Sequence, residues 1–526
     1  MIIQTVLGPL EIDVEAFSLP PTFPIVLPVC RRLRLAEIVD RFCPMKNGDH
    51  LTHGQVVEFL VLHLLQAPHR SPLYKLSGWA EEHNIHHLYG RRAEEFNDDR
   101  VRRTLDALVG SLPEVETAVV TRALQEYRIS PRAIHWDLTN VTFSGAHEDS
   151  DLVRSGYGQG RVHERQLQVS LHATAEGGVP VRHQTLPGNA HQAPLAEEML
   201  QDLQQRLPHS DLIIVSDRAG ISYDNILAYR RNRAHFLGPL QVTDPDHAAQ
   251  LAAVPLEAFS PLSYRSMSQP DDAYFSYATT LQLKPEKRAV PLAVAALFVY
   301  SARKRRQDAQ QREKKVERAW QRLEQIGSYL NKQRYARADY AREQLAKAVP
   351  RAVQTIVCYE LSGSNGALSL RFWRDQEAEA QVAAGEGRYI LVHGLAQTLT
   401  SDDIFTLYRR QGVIEARFRN FNSDLTVHPI WLQDDRRIQA LLLVFILALI
   451  VYTLLELCAE RAGLGTEHYH KMTTRAMIWT FGGVRLKQVR VAREPPQYEL
   501  VMSADQEYIL GQLGLPNPTV YLQPTI

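Results

Sequence analysis

The chain has 526 residues, too many for one ordinary compact core, and its 45% apolar and 22% charged residues are typical of a folded protein with two to four domains or subdomains. The formal net charge is zero, so overall charge gives no argument for a polyanionic partner, and any basic surface must be local. The four cysteines are far apart and form no C-x-x-C pair, which argues against a disulfide scaffold or a zinc cluster and fits a reducing compartment.

Residues 1–130 are predicted to be mostly helical. The segment "THGQVVEFLVLHLLQAP" starts with a threonine that can cap a helix and ends before a proline, and "NDDRVRRTLDALVGSL" has Asn97 as its expected cap. The first residues, "MIIQTVLGPLEIDVEAF", carry early acids and no basic segment, so we expect no signal peptide.

The pattern changes at Pro131, and residues 131–240 are predicted to alternate between strands and helices. Three β-rich segments come first, "RAIHWDLTNVTF", "RQLQVSLHAT" and "VPVRHQTLPGN", and the "AEGG" between the last two suits a hairpin. A helix, the short apolar strand of "DLIIVSDRAG", a second helix and the strand "AHFLGPL" follow. The order β-β-β-α-β-α-β predicts an α/β fold, a mixed sheet with helices packed on it.

Residues 241–385 differ again: short β-like segments precede a long charged helix, predicted over residues 302–349, and a second β-rich piece follows. Residues 303–347 contain 14 Lys/Arg and 6 Asp/Glu, and the start of the helix, Arg303, Lys304, Arg305 and Arg306, is its most basic part. One interpretation is a solvated helix with ion pairs four residues apart. The other is a surface that contacts DNA phosphates.

Residues 386–465 begin with the strand "GRYILVHG" and continue with one predicted helix over "TSDDIFTLYRRQGVIEARFRNFNSDL". On a helix, the spacing of these residues places them in two neighbouring stripes, one apolar and one polar. The apolar stripe comprises Leu407, Ile414, Phe418, Phe421 and Leu425, and the polar stripe comprises Tyr408, Glu415, Arg419 and Asn422.

The next segment, residues 438–458, is apolar and long enough to span a bilayer. Its neighbours are strongly polar and the chain has no second segment of this kind, so we expect a buried core helix; a membrane protein is the alternative. Residues 466–526 form a C-terminal region of mixed character.

Three acids stand out by position: Asp137 lies inside a predicted strand, Asp217 closes another, and Glu415 lies on the late helix. A carboxylate in a buried strand is costly unless it is paired or binds a metal. Three converging carboxylates suit two Mg²⁺ ions, which prefer oxygen ligands and assist phosphoryl transfer. Each acid also has a structural interpretation: a loop hydrogen bond for Asp137, a turn or a helix cap for Asp217, and an ion pair with Arg419 for Glu415.

The motifs around these acids resemble those of bacterial insertion-sequence DDE transposases, in the branch with a β-rich insertion before the third acid. "HWDLTNVTFSG" is similar to the first-Asp strand, "IIVSDRAGIS" to the second-Asp motif and "YRRQGVIEARFRNFNSDL" to the third motif, where Tyr408 and Glu415 match. Gln411 stands where the family has Arg, Asn422 stands where it has Lys, and Ala219 separates Arg218 from Gly220.

The resemblance implies a ribonuclease-H-like catalytic domain in two parts, residues 131–240 and 386–465, interrupted by an insertion domain at 241–385. It further implies a helical N-terminal domain, residues 1–130, that recognises transposon ends. The implied reaction is Mg²⁺-dependent cleavage at those ends and strand transfer into target DNA, with Mn²⁺ as a possible substitute. The implied partners are double-stranded DNA and a second copy of the chain, with no membrane, in the bacterial cytoplasm.

By the same resemblance, Asp137, Asp217 and Glu415 are the catalytic and metal-binding residues. The expected DNA contacts are Arg218, Tyr408, Arg409, Arg410, Arg419 and the basic start of the long helix, Arg303, Lys304, Arg305 and Arg306. A catalytically inactive or domesticated DNA-binding relative and a nuclease without strand transfer remain alternatives.

Overall fold

The structure is a computed structural model. It describes residues 2–5, 8–45, 50–66, 72–143, 147–158, 161–190, 195–207, 211–266, 269–284, 290–395, 399–425, 432–465, 472–491 and 497–522. The chain divides into two compact units: unit 1 comprises Met1–Ser216, Ala228–Ala234 and Arg410–Ile526, and unit 2 comprises Asp217–Leu227 and His235–Arg409.

The strands of the described residues are β1 (Ile2–Thr5), β2 (Gly8–Ser18), β3 (Ala133–Thr142), β4 (Arg154–Gly158), β5 (Arg161–Thr174), β6 (Pro180–Pro187), β7 (Ile213–Ser216), β8 (His235–Leu240), β9 (Ser260–Pro261), β10 (Tyr274–Leu283), β11 (Leu292–Ser301), β12 (Val357–Ser364), β13 (Ala367–Arg374), β14 (Arg388–His393), β15 (Arg485–Val491) and β16 (Gln497–Val501).

The α-helices of the described residues are α1 (Phe23–Leu33), α2 (Leu35–Phe42), α3 (His53–Leu64), α4 (Leu76–Glu82), α5 (Asp98–Leu108), α6 (Leu112–Glu126), α7 (Leu195–Arg206), α8 (Tyr223–Arg231), α9 (Pro245–Ala253), α10 (Ala302–Tyr329), α11 (Ala338–Ala348), α12 (Gln376–Ala384), α13 (Ser401–Arg409), α14 (Gly412–Arg419), α15 (Asp435–Arg461), α16 (Thr474–Thr480) and α17 (Ala504–Gln512).

Unit 1 contains a mixed sheet built on β3. Strand β3 pairs antiparallel with β5, and β5 pairs antiparallel with β4 along its first half and with β6 along its second. The turn between β5 and β6 has Gly177 and Gly178 at positive φ, as the "AEGG" sequence predicts. After α7, β7 pairs parallel with β3. The predicted α/β class with a mixed sheet and flanking helices is therefore confirmed.

The N-terminal helices meet this sheet through a buried charged network. Glu116 of α6 is fully buried, and its carboxylate lies 2.7 Å from the Arg182 guanidinium of β6 and accepts a 2.8 Å bond from the His183 amide. Burial alone would raise the pKa of Glu116, but His183 and Arg182 lower it to about 2. The carboxylate is therefore ionised and ties α6 to β6.

Residues 1–130 are mostly helical as predicted, with helices α1 to α6, but the first residues of the chain form the two strands β1 and β2, which the sequence analysis did not predict. β2 pairs with β1 and with β15 near the C-terminus, and β15 pairs with β16. This pairing joins residues at opposite ends of the chain, such as Ser18 with Arg485, and no local signal in the sequence predicts it.

The long apolar segment forms α15, which is confirmed as a buried core helix. It is long and apolar enough to cross a membrane, but 94% of its most apolar window is buried inside the protein. α1, α3, α5 and α6 all pack against it, as do β6 and α16. The helix is therefore the centre of the unit 1 core.

Unit 2 has an antiparallel sheet in which β8 pairs with β14, β14 with β11, β11 with β10 and β10 with β9. The predicted single helix over residues 302–349 is wrong: α10 ends at Tyr329, and α11 packs back against it. Asn331 and Gln333 have positive φ between the two helices, which breaks helical geometry. A separate small core, including Val316, Leu323 and Leu345, packs with the β12–β13 hairpin.

Candidate functional site

Asp137 and Asp217 each come directly after the residues through which two neighbouring strands pair. In unit 1, β3 and β7 run parallel, and their last paired residues are Trp136 and Ser216. Asp137 is the next residue on β3, and Asp217 is the next residue after β7. The carboxyl ends of parallel strands are a usual position for functional side chains in α/β sheets.

Packing around Trp136 fixes β3 at this point. Its indole nitrogen donates to Ser170 Oγ of β5 at 2.9 Å, and its ring stacks on His172 with centroids 6.1 Å apart. Burial lowers the pKa of His172 to about 4, so the imidazole is neutral at pH 7 and can lie in the apolar layer. The strand before Asp137 is therefore held rigidly.

The two aspartates both accept backbone hydrogen bonds. Asp137 is partly exposed, lies opposite Leu171 of β5, and accepts a 2.8 Å bond from the Leu138 amide. Asp217 accepts a 3.4 Å bond from the Gly220 amide, across a turn that begins at Arg218. The turn reading of Asp217 therefore has a contact to support it.

The third acid lies on a helix that is shorter than predicted. The single helix expected over this region is wrong, because α13 ends at Arg409 and α14 begins at Gly412. Glycine has low helix propensity, and the 3.0 Å bond from the Ile414 amide to the Gln411 carbonyl tightens the turn there. The break also separates Tyr408, in unit 2, from Glu415, in unit 1.

The apolar stripe of this segment is largely confirmed. Ile414, Phe418, Phe421 and Leu425 are all buried, while Leu407 is only partly so. Glu415 is exposed, and among the described residues its carboxylate makes no ion pair with Arg419 or any other residue. An intrahelical ion pair therefore does not explain Glu415.

Helix α14 packs against β3, the strand that carries Asp137. Just beyond it, Asn422 Nδ2 donates to Thr139 Oγ1 of β3 at 3.4 Å. The side-chain amide of Asn422 therefore contacts the sheet within unit 1. Glu415 and Asp137 thus lie on two elements in direct contact.

A metal centre requires the acids to come together. Three carboxylates are the right kind of ligand for Mg²⁺. However, in the part of the chain that the structure describes, no three His, Cys, Asp or Glu side chains are placed to hold a metal ion. The donor type fits Mg²⁺, but the arrangement does not form a three-ligand site, so we derive no reaction step through a metal.

The arginines expected at DNA have different surroundings. Arg218, Arg410 and Arg419 are exposed. In unit 2, Arg409 lies over the rings of Tyr264 and Tyr274, at 5.6 and 5.4 Å from their centroids, so its guanidinium is engaged with aromatic residues.

Tyr408 packs near another aromatic ring of unit 2. Its ring centroid is 6.5 Å from that of Tyr389. Tyr389 is partly buried, and desolvation raises the pKa of its hydroxyl. Tyr408 is therefore part of an aromatic cluster in that unit.

The basic start of α10 is anchored at one residue and exposed at others. Lys304 forms a 2.9 Å ion pair with Asp308, while Arg305 and Arg306 are exposed and make no ion pair within the described residues. Arg303 is partly exposed. Lys304 therefore has the ion pair four residues away that a solvated helix predicts, whereas Arg305 and Arg306 are solvated without an ion pair among the described residues, so both interpretations of this segment stay open.

Sequence reasoning missed a further acid beside this site. Asp424, at the end of a π-helical turn after α14, accepts bonds from Asn420 at 2.7 Å and from the Tyr452 hydroxyl at 2.9 Å. Arg475 lies 3.4 Å from its other oxygen. The four-residue spacing of Asn420 and Asp424 is a usable signal, but the partners on α15 and α16 are distant in sequence.

Three comparisons with known proteins were informative to different degrees. Residues 21–114 match the model of a domain of unknown function, DUF4277. A similar solved structure is the cryo-EM structure of a piggyBac transposase synaptic complex with hairpin DNA: identity is 8%, 87% of this chain and 79% of that chain are covered, and the TM-score is 0.40. A TM-score of this size does not establish a shared fold. No curated protein matches the sequence.

Proposed function

We propose that this chain is a DNA transposase with a ribonuclease-H-like catalytic domain. The observation that supports the proposal is the arrangement of unit 1: an antiparallel meander of β3, β5 and β6, then β7 parallel to β3. Asp137 directly follows the last paired residue of β3, and the helix of Glu415 packs on β3. Asp217 directly follows β7 in sequence and is the first residue of unit 2. The DUF4277 match agrees with it, since that domain is found in transposase-like proteins.

In this proposal Asp137, Asp217 and Glu415 are the catalytic acids for cleavage at the element's ends and strand transfer into target DNA. Mg²⁺, or Mn²⁺ in its place, would supply an activated nucleophile and stabilise the leaving oxygen when bound. The partners are duplex DNA and a second copy of the chain, in the cytoplasm. Exposed arginines such as Arg218 and Arg419 would contact phosphates near the cut.

The test is cleavage of duplex DNA that carries the sequences flanking the gene, with Mg²⁺ or Mn²⁺. We expect Asp137→Ala, Asp217→Ala and Glu415→Ala each to reduce cleavage to background while DNA affinity is kept. Glu114→Ala, an exposed acid of α6, is the matched control and should cleave normally. Cleavage by Asp217→Ala at the wild-type rate would refute the site.

A second candidate is a catalytically inactive or domesticated DNA-binding relative. It is favoured by one observation, that no three acids of the described residues are placed to hold a metal. This candidate predicts specific DNA binding with no cleavage by the unaltered chain. A nuclease without strand transfer would instead cleave the ends but fail to join pre-cut ends to target DNA.

A further inference from the structure

The exposed side of α10 carries a row of cations. Lys315, Arg318 and Arg322 follow one another at steps of three and four residues, so they lie on one face of the helix. All three are exposed, and none forms an ion pair among the described residues. Gln311 and Gln325, which are also exposed, extend the row at its two ends. We call these five residues the basic row.

The helical neighbours of these cations do not neutralise them. Residues three and four positions apart on a helix are adjacent, and opposite charges at this spacing stabilise it. Arg318 instead has Lys314 and Lys315 before it and Arg322 after it at this spacing, and none of the three cations of the basic row has an acid there. Like charges so placed are destabilising, so solvation of a helix alone does not favour this arrangement.

The acids of this part of α10 lie on a different face. Glu313, Glu317 and Glu324 are exposed, and at about 100° per residue their positions centre roughly 150° around the helix axis from the basic row. Two of them have partners on their own side. Glu313 lies 2.9 Å from the Arg374 guanidinium of β13, and Glu324 accepts a 3.0 Å bond from the Trp320 indole. The charges of α10 are therefore separated by sign.

Packing beneath α10 holds the basic row in place. Val316, Ala319, Leu323 and Ile326 of the same helix are buried in the small core that α10 shares with α11 and the β12–β13 hairpin. Buried residues at three- and four-residue steps fix the rotation of a helix about its axis. The basic row is therefore a fixed surface, and its cations cannot reach the acids by rotation of the helix.

We propose that the basic row binds the phosphate backbone of duplex DNA. Seven residues separate Lys315 from Arg322, about 10 Å along the helix, and each strand of a duplex carries a phosphate at about every 3.4 Å of its axis. Guanidinium and ammonium groups suit phosphate oxygens, and glutamine amides can donate to them. The acids on the other face repel the same backbone, so they direct the duplex to the basic row.

A duplex backbone fits the basic row better than other anionic partners do. The row contains no aromatic ring that could stack on an unpaired base, which disfavours single-stranded DNA. It also contains no apolar side chain of the kind that anchors a protein partner, which disfavours an acidic protein. The inference rests on the proposed function and adds a DNA contact in the middle of α10 to those expected at its start.

The test measures binding of a fluorescent 30-base-pair duplex by anisotropy, without divalent metal, over a range of salt concentrations. We expect R318Q/R322Q to weaken binding roughly tenfold at low salt and to lower the salt slope by about two, since each phosphate contact contributes about 0.9. R318K/R322K keeps both charges and should retain most of the affinity. R342Q/K347Q removes two exposed cations of α11 that each pair with an acid of the same helix, and it should bind as the unaltered chain does.

Circular dichroism and thermal unfolding show whether each variant is folded. The thermal midpoint of R318Q/R322Q should not fall, because the substitutions are exposed and remove like charges, and K315Q decides the question if the double variant is not folded. Unchanged affinity and salt slope in the folded variants of the basic row would overturn the inference.

Two further results would also overturn it. An equal loss of binding in R342Q/K347Q would show that general charge explains the effect. Tighter binding of a single strand than of the duplex by the unaltered chain, lost in R318Q/R322Q, would assign the row to single-stranded DNA. Since binding is measured without cleavage, failure here is distinct from failure of the catalytic acids.

Discussion

Glu58 of α3 is a fully buried carboxylate in the N-terminal segment. Arg31 lies 2.9 Å from it and the Tyr89 hydroxyl donates to it at 3.1 Å. Burial nevertheless raises the pKa of Glu58 to about 7, and the two partners only moderate the effect. Desolvation therefore outweighs the ion pair at this position.

This raised pKa predicts pH-dependent stability. Between pH 4.5 and 7 the folded chain holds a proton on Glu58 that the unfolded chain has released, so stability falls as pH rises through this range, by roughly 3 kcal/mol in total. We expect Glu58→Gln to remove this contribution to the loss of stability with rising pH. The thermal unfolding midpoint of the variant should therefore fall less from pH 5 to pH 7 than that of the unaltered chain. Glu114→Gln, at an exposed position, should keep the full decline, and an equal decline in all three proteins would contradict the prediction.

Arg417 and Glu456 form a buried ion pair that joins α14 to α15. Their side chains are 5% and 6% exposed, with 2.8 Å between Arg417 Nη2 and the carboxylate. Arg417→Met leaves a buried carboxylate and should cost about 3–5 kcal/mol, whereas Arg417→Met with Glu456→Leu should recover most of the loss. Urea unfolding midpoints measure both, and Arg419→Gln is the exposed control. A double variant no more stable than Arg417→Met would argue against this account.

At the residue scale, the sequence predicts which secondary-structure elements carry the acids better than it predicts the side chains that contact them. The position of Asp137 within a strand and of Asp217 at a strand end follow from local alternation and apolar runs, and both are confirmed. The buried stripe beside Glu415 follows from helical spacing. The contacts of Asn422 with Thr139 and of Asp424 with Tyr452 could not be predicted, because each joins residues far apart in sequence.

At the scale of elements, α10 shows how pattern reasoning can fail. Its charged residues continue into the next helix without a clear change in composition, so one helix over residues 302–349 is predicted. The sequence "GSYLN" carries the missed signal: Gly327 weakens the helix, and Asn331 tolerates the positive φ that follows its end. The return of α11 then depends on the small core around Leu323, which is tertiary information.

The start of α10 is held in place by its own cap. Ser301 Oγ accepts a 3.1 Å bond from the Lys304 amide and donates to Asp272 at 2.9 Å, and the Ser301 amide donates to the Gly387 carbonyl at 3.0 Å. The first turn is therefore fixed, and the side chains it exposes are presented from a rigid position.

This anchoring predicts unequal effects within one basic cluster. If α10 contacts DNA, R305Q/R306Q should weaken duplex binding roughly 3- to 10-fold, about 1 kcal/mol, and lower the salt slope. K304Q should have less effect, because Lys304 already pairs with Asp308. Anisotropy titrations at several salt concentrations measure both. Equal binding by both variants and the unaltered chain would support the reading of α10 as a solvated helix.

At the scale of the molecule, α15 determines which parts of the chain depend on each other. Helices that precede α15 in the sequence, such as α3, and the helix α16 that follows it all pack on α15. Arg437 at the start of α15 forms a 2.6 Å ion pair with Asp106 of α5. Arg461 at its end donates to the Tyr127 carbonyl after α6. The apolar sequence predicts that α15 is buried but not which residues bury it, because the first 130 residues supply much of the cover from a distance.

Two deletions test this dependence. Removing residues 1–130 exposes a face of α15, and each large apolar side chain left in water costs about 1.5–3 kcal/mol, so we expect the fragment 131–526 to aggregate.

Replacing residues 302–386 by a short glycine-containing turn should leave a folded protein. Tyr300 pairs with Arg388 on adjacent antiparallel strands, so the cut ends lie side by side, and the removed segment belongs to unit 2 with a core of its own.

Size-exclusion chromatography and thermal unfolding distinguish the two deletions. The chain without residues 302–386 should elute as one species and unfold cooperatively, because α1, α3, α5, α6, α16 and β6, which pack on α15, are all retained. The chain without residues 1–130 should elute as aggregate or stay insoluble, although its strands β3, β5, β6 and β7 are intact in sequence. A soluble, cooperatively unfolding fragment 131–526 would show that the N-terminal segment is an independent domain, as its helical pattern first suggests, and that α15 is covered without it.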